Sequence, residues 1–146
     1  MSRILLDTVT VSEIRRGPKG NPNVWRWQKG IHGASLSVVS LHEIRYGLRK
    51  VEPKDPRFAA HLAAWYATIL AQPDEFRILD VHRSIAEQAA EYRATLGIPL
   101  ADSLIAATAK VHDLTLATRN TADFQATNIP IVNPWDEQSG EWSGSS

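Results

Sequence analysis

The sequence of 146 residues has no cysteine, no long apolar run and no excess of charge of either sign. The absence of cysteine excludes disulfide scaffolds, thiol catalysis, iron-sulfur clusters and zinc sites with cysteine ligands. The chain also lacks any stretch of the roughly 18 or more apolar residues that a membrane helix needs, and its apolar run near the amino terminus is too short for a secretory signal. The sequence therefore predicts a cytoplasmic protein without a membrane partner.

Net charge gives no simple electrostatic argument for a nucleic-acid partner, because 16 basic and 16 acidic residues cancel. The two signs are distributed unevenly, however. Residues 1–50 carry nine Lys and Arg residues against three acids, so the rest of the chain has the opposite excess. This asymmetry is compatible with a basic face beside an acidic site, and equally with ordinary solvated surface charge.

The composition, with 43% apolar and 22% charged residues, is that of one globular domain with a single core. Short apolar segments alternate with stretches of helical periodicity, which is typical of a parallel sheet covered by helices on both faces. The pattern predicts strands at 3–7, 34–39, 76–81, 114–118 and 129–132. It predicts helices at 8–16, 21–29, 57–72, 83–96 and 99–112, and another that is capped by Ser40 and continues to 51.

The fold class that follows is α/β, with a central, mainly parallel five-stranded sheet between two layers of helices. In such sheets ligands bind beyond the carboxyl ends of the strands, where the strand order reverses. Asp7 ends the first predicted strand, and Arg119 and Asn120 follow the fourth. The domain is expected to span residues 1–135, and the polar, Gly- and Ser-rich residues 136–146 are predicted to be a disordered tail.

Three acids stand in apolar surroundings: Asp7 at a strand end, Glu43 in a helix, and Asp102 in a segment with no other charge from 99 to 109. A lone carboxylate near a core costs several kcal/mol unless it is paired, hydrogen-bonded or bound to a metal. If the three converge, they need a cation. Hard oxygen ligands suit Mg²⁺ or Mn²⁺, and such an ion can activate water and clamp a phosphate.

Each acid also has a plain structural interpretation. Asp7 and Asp102 could cap the helices that they begin, and Glu43 could be solvated on an exposed helix edge. Asn120 is placed to cap a short helix over 121–124, in which Asp123 would lie favourably in the first turn. The spacing of these residues alone does not decide between capping and chemistry.

Other catalytic motifs fit poorly. The segment Asp7-Thr8-Val9 invites comparison with haloacid-dehalogenase phosphatases, but their second aspartate is replaced here by Val9. Nucleotide-binding glycine loops, the zinc-protease motif HExxH and the serine elbow GxSxG are all absent, and the five histidines show no metal-ligand spacing. The tryptophans at helical spacing are expected to face a core or an interface.

Four ordered segments carry a family resemblance: LLDTVTVSEIRRG at 5–17, LSVVSLHEIRYG at 36–47, IPLADSLIAATAKVHDLTLATRNTADF at 98–124 and IVNPW at 131–135. Together they resemble the PIN-domain ribonucleases, and within these the VapC/FitB-type toxins of bacterial toxin-antitoxin systems. The likeness runs from about residue 3 to Trp135, which is nearly the whole chain.

The resemblance implies a PIN-like fold and an endoribonuclease that depends on Mg²⁺, with Mn²⁺ as an alternative. Asp7, Glu43 and Asp102 match the acids of the family, which hold the metal directly or through water. Asn120 matches a fourth position that is Asp or Asn in relatives, and Asp123 lies one helical turn further on. Thr118 falls in the same motif and could hydrogen-bond a water or a phosphate. In the implied mechanism, the metal would lower the pKa of a water molecule for attack on an RNA phosphodiester.

The resemblance also implies partners: an RNA substrate, a second copy of the chain, and a small cognate antitoxin of the VapB, FitA or Phd type. Higher-order assembly with the antitoxin is expected, and operator DNA would be bound only through that complex. A basic side chain of the antitoxin could compensate the acid cluster. Candidate phosphate contacts on this chain are Arg15, Arg16, Lys19, Arg45 and Arg49.

One departure from the family pattern keeps other functions open. Family members usually follow the first acid with Thr-Asn, whereas Val9 stands in the Asn position and removes an amide from the hydrogen-bond network. A catalytically weak PIN-like module, acting by binding antitoxin, RNA or operator DNA, is the main alternative. A nuclease directed at DNA is another.

Overall fold

The structure is a computed structural model and describes residues 3–136. Five strands form one sheet in the order β3-β2-β1-β4-β5, and all four pairings are parallel. The predicted α/β class is confirmed, and the sheet is parallel throughout its described strands rather than mainly so. The strands are β1 (Ile4–Leu6), β2 (Ala34–Ser37), β3 (Phe76–Leu79), β4 (Thr115–Ala117) and β5 (Ile131–Val132).

Seven α-helices lie within residues 3–136, and they occupy the stretches of predicted helical periodicity. Short 3-10 turns at Gly17–Lys19 and Gln125–Thr127 complete the connections. The helices are α1 (Thr8–Arg15), α2 (Pro22–Gln28), α3 (Val38–Val51), α4 (Pro56–Leu70), α5 (Arg83–Leu96), α6 (Leu100–His112) and α7 (Thr121–Phe124).

The sheet separates two apolar clusters, because successive side chains of a strand point to opposite faces. Ile4 and Leu6 of β1 pack in the cluster that includes residues of helices α1 to α4. Leu5, between them, belongs to the cluster formed with α5, α6 and α7. All three side chains are almost completely buried, so β1 is the shared centre of a three-layer α/β/α domain.

The strand order creates a crevice at the carboxyl ends of β1 and β4. The chain leaves β1 toward β2 on one side, whereas β4 leads to β5 on the other, so the direction of winding reverses between these two strands. The backbone N–H of Asp7 donates to the carbonyl of Ala117 at 3.2 Å, which ties the first residue after β1 to the end of β4. Residues that follow these strands therefore meet at one edge of the sheet.

The boundary between β2 and α3 differs from the prediction. The strand ends at Ser37, not at residue 39, and the hydroxyl of Ser37 caps α3 by accepting a hydrogen bond from the N–H of Val39 at 2.9 Å. Ser40 is therefore not the cap; it lies within the first turn of α3 and is completely buried. Val38 and Val39 favour strands by intrinsic propensity, but packing of Val39 against the core outweighs that preference.

Two further expectations concern the ends of the chain and the membrane. The predicted tail at 136–146 lies outside the described residues except for Asp136, so both it and the domain boundary at 135 remain predictions. Within residues 3–136 the structure contains no helix long and apolar enough to cross a bilayer.

Two glycines on helices provide a test of the local backbone. Gly97 ends α5 with φ of 69°, a left-handed conformation, whereas Gly47 lies inside α3. A Cβ atom at either position would meet nothing within 4 Å, so only the backbone conformation separates the two sites. Gly97→Ala should lower the free energy of unfolding by about 1 kcal/mol. Gly47→Ala should raise it by about 0.5–1 kcal/mol. Urea denaturation measures both, and stabilisation by Gly97→Ala would contradict this assignment of the α5 terminus.

Candidate active site

Asp7 is positioned by both elements that it joins. It follows β1 directly, is buried, and acts as the N-cap of α1. Its Oδ1 accepts a hydrogen bond from the N–H of Thr10 at 2.8 Å. The hydroxyl of Thr10 in turn donates to the carbonyl of Ala117 at 2.9 Å and fixes the start of α1 against β4. The capping interpretation of Asp7 is therefore correct, and the cap holds the carboxylate at the crevice through one of its two oxygens.

Glu43 reaches the same edge from α3. Its side chain is half-buried, and its Oε1 accepts a hydrogen bond from the hydroxyl of Thr8 at 2.5 Å. The same Thr8 oxygen lies 2.9 Å from the hydroxyl of Ser40. Since Thr8 begins α1, these contacts bind α1 to α3 beside Asp7. Glu43 is therefore held by the protein rather than simply solvated.

Asp102 lies in the first turn of α6 and is half-buried. It does not cap this helix, because α6 begins at Leu100 with Pro99 in the N-cap position. Burial raises the pKa of Asp102 above its usual range, and the negative charges of Glu43, Asp7 and Asp123 raise it further. The location near a helix N-terminus would favour the ionised form, so burial and repulsion together outweigh the helix dipole. The structure thus brings the three predicted acids, and Asp123 with them, within electrostatic range of one another.

The segment after β4 contributes the remaining predicted residues. Thr118 is completely buried, and its hydroxyl oxygen accepts a hydrogen bond from the backbone N–H of Asn120 at 3.1 Å. Asn120 occupies the N-cap position of α7, but its side chain makes no capping hydrogen bond, so that expectation is wrong. The cause is local: its backbone is not in the extended conformation typical of a cap, with φ of −94° and ψ of 58°. Asn120 and Asp123 are both exposed, and Asp123 is near enough to Asp102 for its charge to raise the pKa of that residue.

The chemistry of these donors fits a hard divalent cation. Carboxylates, hydroxyls and a side-chain amide are the ligands that Mg²⁺ and Mn²⁺ prefer. Within residues 3–136, no three His, Asp or Glu side chains are already placed to hold an ion. The donor set therefore fits such an ion by chemical type.

Two hydroxyls of the site, those of Thr8 and Ser40, were not predicted from the sequence to belong to it. Thr8 directly follows an acid and Ser40 precedes one by three residues, so adjacency to Asp7 and Glu43 was the available signal. Val9, which replaces the family's asparagine, has a side chain that is 50% exposed. The hydrogen bond to Glu43 comes from Thr8, the residue before Val9, and not from position 9.

Removing the charge of Asp102 should stabilise the fold at neutral pH. Because its pKa is higher in the folded chain than in the unfolded one, protonation stabilises the protein. That contribution is complete below about pH 3.8, the ordinary pKa of an aspartate, and is lost as the pH rises through the raised pKa of the folded protein. Asp102→Asn should therefore raise the unfolding free energy at pH 7 by up to about 1 kcal/mol, since solvent screens part of the repulsion.

Thermal unfolding of both proteins between pH 3 and 8 measures this difference, which should shrink toward the acidic end. Asp74→Asn is the matched control. Asp74 is exposed and precedes the amino end of β3, whereas the crevice lies at the carboxyl ends of the strands. An Asp102→Asn variant that is less stable than the parent at pH 7, with the control unchanged, would show that the cluster is not repulsive.

Comparison with known proteins gives the family. A model of the PIN domain matches residues 4–129. The toxin FitB of Neisseria gonorrhoeae is 33% identical over 144 residues, which cover 92% of this chain and 99% of that protein. A VapC ribonuclease of Sinorhizobium fredii is 34% identical over 138 residues, which cover 91% of this chain and 98% of that protein.

Solved structures agree with this assignment. The crystal structure of FitAcB from Neisseria gonorrhoeae matches with a TM-score of 0.65 and 32% identity over 90% of this chain and 98% of its own. The DNA-bound VapBC structure from Salmonella typhimurium has a TM-score of 0.71 and covers 92% of this chain and 99% of its own; at 21% identity it supports the fold alone. With the predicted sheet, the acid-lined crevice and a family match over most of its length, the chain belongs to the PIN domain family.

Proposed function

We propose that this chain is the toxin of a toxin-antitoxin pair and acts as a metal-dependent endoribonuclease in the cytoplasm. The observation that carries the proposal is the group of carboxylates around Asp102 in the crevice where the sheet reverses its winding. Relatives named as a FitB toxin and a VapC ribonuclease, each more than 30% identical over nine-tenths of the chain, support the same function.

The residues that would hold Mg²⁺ or Mn²⁺ are Asp7, Glu43 and Asp102, with Asn120 or Asp123 as a further ligand. When bound, the ion would lower the pKa of a water molecule and offset negative charge on the scissile phosphodiester. The chain itself orients the acids: the N–H of Thr10 holds Asp7 and the hydroxyl of Thr8 holds Glu43. The hydroxyl of Thr118 is a candidate contact for phosphate or water, although it is buried against the backbone of Asn120.

The same cluster suggests how a protein partner would inhibit the site. The carboxylate of Asp102 and the three acids whose charges raise its pKa would attract any cation that can reach them. Such a cation could be a Lys or Arg side chain of an antitoxin. FitAB and VapBC complexes are among the structural relatives, and some of them are bound to DNA. We therefore infer neutralisation by a cognate antitoxin, contact with operator DNA through that complex, and pairing of two toxin copies.

Cleavage of RNA by the purified protein is the direct test. Single-stranded RNA should be cut only with Mg²⁺ or Mn²⁺. Asp7→Asn or Asp102→Asn should each reduce the cleavage rate by more than about 100-fold. Mutation of a residue that only hydrogen-bonds to a metal ligand typically costs roughly 10- to 100-fold, and these acids would be ligands themselves. Asn is a good N-cap, so Asp7→Asn removes the charge and keeps the helix start. Asp74→Asn should cleave at the parental rate.

Two outcomes would decide against the endoribonuclease. Activity that persists in either cluster variant would exclude these acids as the catalytic group. Binding of RNA or antitoxin without any metal-dependent turnover would favour the catalytically weak module, and cleavage of DNA in preference to RNA would favour the DNA-directed alternative.

The candidate phosphate contacts differ in how far their charge is already compensated. Nη1 of Arg16 lies 3.5 Å from Oε2 of Glu13, and Nε of Arg49 lies 3.3 Å from Oε1 of Glu52. Arg45 instead lies over the ring of Tyr66, with its guanidinium carbon 5.7 Å from the ring centroid, and Arg15 lies over Phe58 and Trp65. Lys19 is exposed. Arg45 is exposed, has no carboxylate partner among residues 3–136 and lies on the same helix as Glu43, so it is the candidate that we select for a test.

Salt dependence of RNA binding should reveal that contact. In the Asp102→Asn background, which should not cleave, Arg45→Gln should lower the slope of log K against log [KCl] by about 0.7, the value for one phosphate contact on a single strand. Arg16→Gln should leave the slope unchanged, because Glu13 already compensates that charge. Fluorescence anisotropy with a labelled RNA measures both, and equal slopes for parent and Arg45→Gln would remove Arg45 from the binding surface.

A further inference from the structure

Ser40 is a completely buried serine whose hydroxyl does not cap the helix in which it lies. Ser37 caps α3, and Ser40 follows three residues later in the first turn. The Oγ of Ser40 lies 2.9 Å from the Oγ1 of Thr8, and that oxygen lies 2.5 Å from Oε1 of Glu43. Three side chains from two helices therefore form a continuous chain of oxygen atoms that ends on a carboxylate of the candidate site.

The direction of the hydrogen bonds in this chain follows from the number of protons. The hydroxyl of Thr8 has one proton, and an ionised carboxylate can only accept. The short contact to Glu43 has the length of a charge-assisted O–H···O⁻ bond, so Thr8 donates to Glu43. The proton between Ser40 and Thr8 must then come from Ser40. The sequence of donation is Ser40 to Thr8 to Glu43.

A hydroxyl that accepts a hydrogen bond becomes a stronger donor, because consecutive bonds polarise one another in a site of low dielectric constant. Ser40 therefore both fixes the rotation of the Thr8 hydroxyl and strengthens its bond to Glu43. Oε1 of Glu43 is occupied by this bond, whereas Oε2 has no hydrogen-bond partner among residues 3–136. The arrangement leaves one defined oxygen of Glu43 without a protein hydrogen bond among these residues.

We propose that Ser40 is a positioning residue, which orients the Thr8 hydroxyl and through it holds the Glu43 carboxylate ready to bind a divalent cation. The inference rests on the proposed function, since it assigns to Ser40 a part in that site. Val9 has no hydrogen-bonding side chain, and in this chain the hydroxyl of Thr8, itself in contact with that of Ser40, holds Glu43.

The test is a double-mutant cycle on the full-length protein, read by isothermal titration with Mn²⁺ and by steady-state cleavage of RNA. Ser40→Ala should weaken Mn²⁺ binding roughly 3- to 10-fold, and Thr8→Val roughly 10- to 100-fold, the range for partners that orient metal ligands. Because Ser40 acts through Thr8, adding Ser40→Ala to Thr8→Val should change the affinity no further. In Ser40→Ala, kcat should fall by a similar factor while KM for RNA stays constant.

Matched variants separate positioning from folding. Ser37→Ala removes the buried hydroxyl that caps the same helix from the end of β2, so it should lower the melting temperature without changing Mn²⁺ affinity. Thr8→Ser keeps the hydroxyl and should bind Mn²⁺ like the parent. This variant keeps the inference testable even if Ser40→Ala fails to fold.

The outcomes are distinct. A parent protein that binds no Mn²⁺ would overturn the proposed function and this inference with it. If the parent binds Mn²⁺ but Ser40→Ala binds as tightly, or if the effects of Ser40→Ala and Thr8→Val are additive, only the role of Ser40 is overturned. Equal affinities for Thr8→Ser and Thr8→Val would overturn it as well.

Discussion

Mutual repulsion of carboxylates at one edge of a parallel sheet is the constraint on which the site depends. Asp102 is brought to that edge by α6, Asp7 by the end of β1 and Glu43 by α3, and burial together with their charges raises the pKa of Asp102. None of these acids can move far away, because each belongs to or directly follows an element that packs in the core. The fold therefore maintains an arrangement that is unfavourable in itself, which is typical of a functional site rather than of a structural one.

The apolar core makes that arrangement possible. β1 contributes Leu5 to one cluster and Ile4 and Leu6 to the other, so the strand that presents Asp7 is held from both faces. Local hydrogen bonds then define the positions of the side chains: Thr10 donates its backbone N–H to Asp7, and Thr8 donates its hydroxyl to Glu43. The stability supplied by hydrophobic packing offsets the electrostatic cost at the crevice.

Much of this architecture follows from the sequence, because the determining signals are local. Apolar runs of four to six residues between amphipathic helices predict a parallel sheet, and Asp7 at the end of such a run predicts an acid at its carboxyl edge. The boundary at Ser37 was missed because two serines three residues apart are both good caps, and tertiary contacts of Val39 decide between them. Asn120 was misjudged for a different reason, because capping depends on backbone angles that the sequence does not reveal. The contact between Thr8 and Glu43 joins residues 35 apart, and no local pattern encodes it.

The acid cluster is the central element of this account, and linkage between cation binding and stability tests it most directly. An ion that binds only the folded protein raises the melting temperature in proportion to the logarithm of its concentration, once that concentration exceeds Kd. Melting curves of the parent and of Asp102→Asn across a Mg²⁺ series should show a concentration-dependent rise in the parent and little or none in the variant. An equal rise in both proteins, or none in the parent, would contradict the claim that these carboxylates form a divalent-cation site.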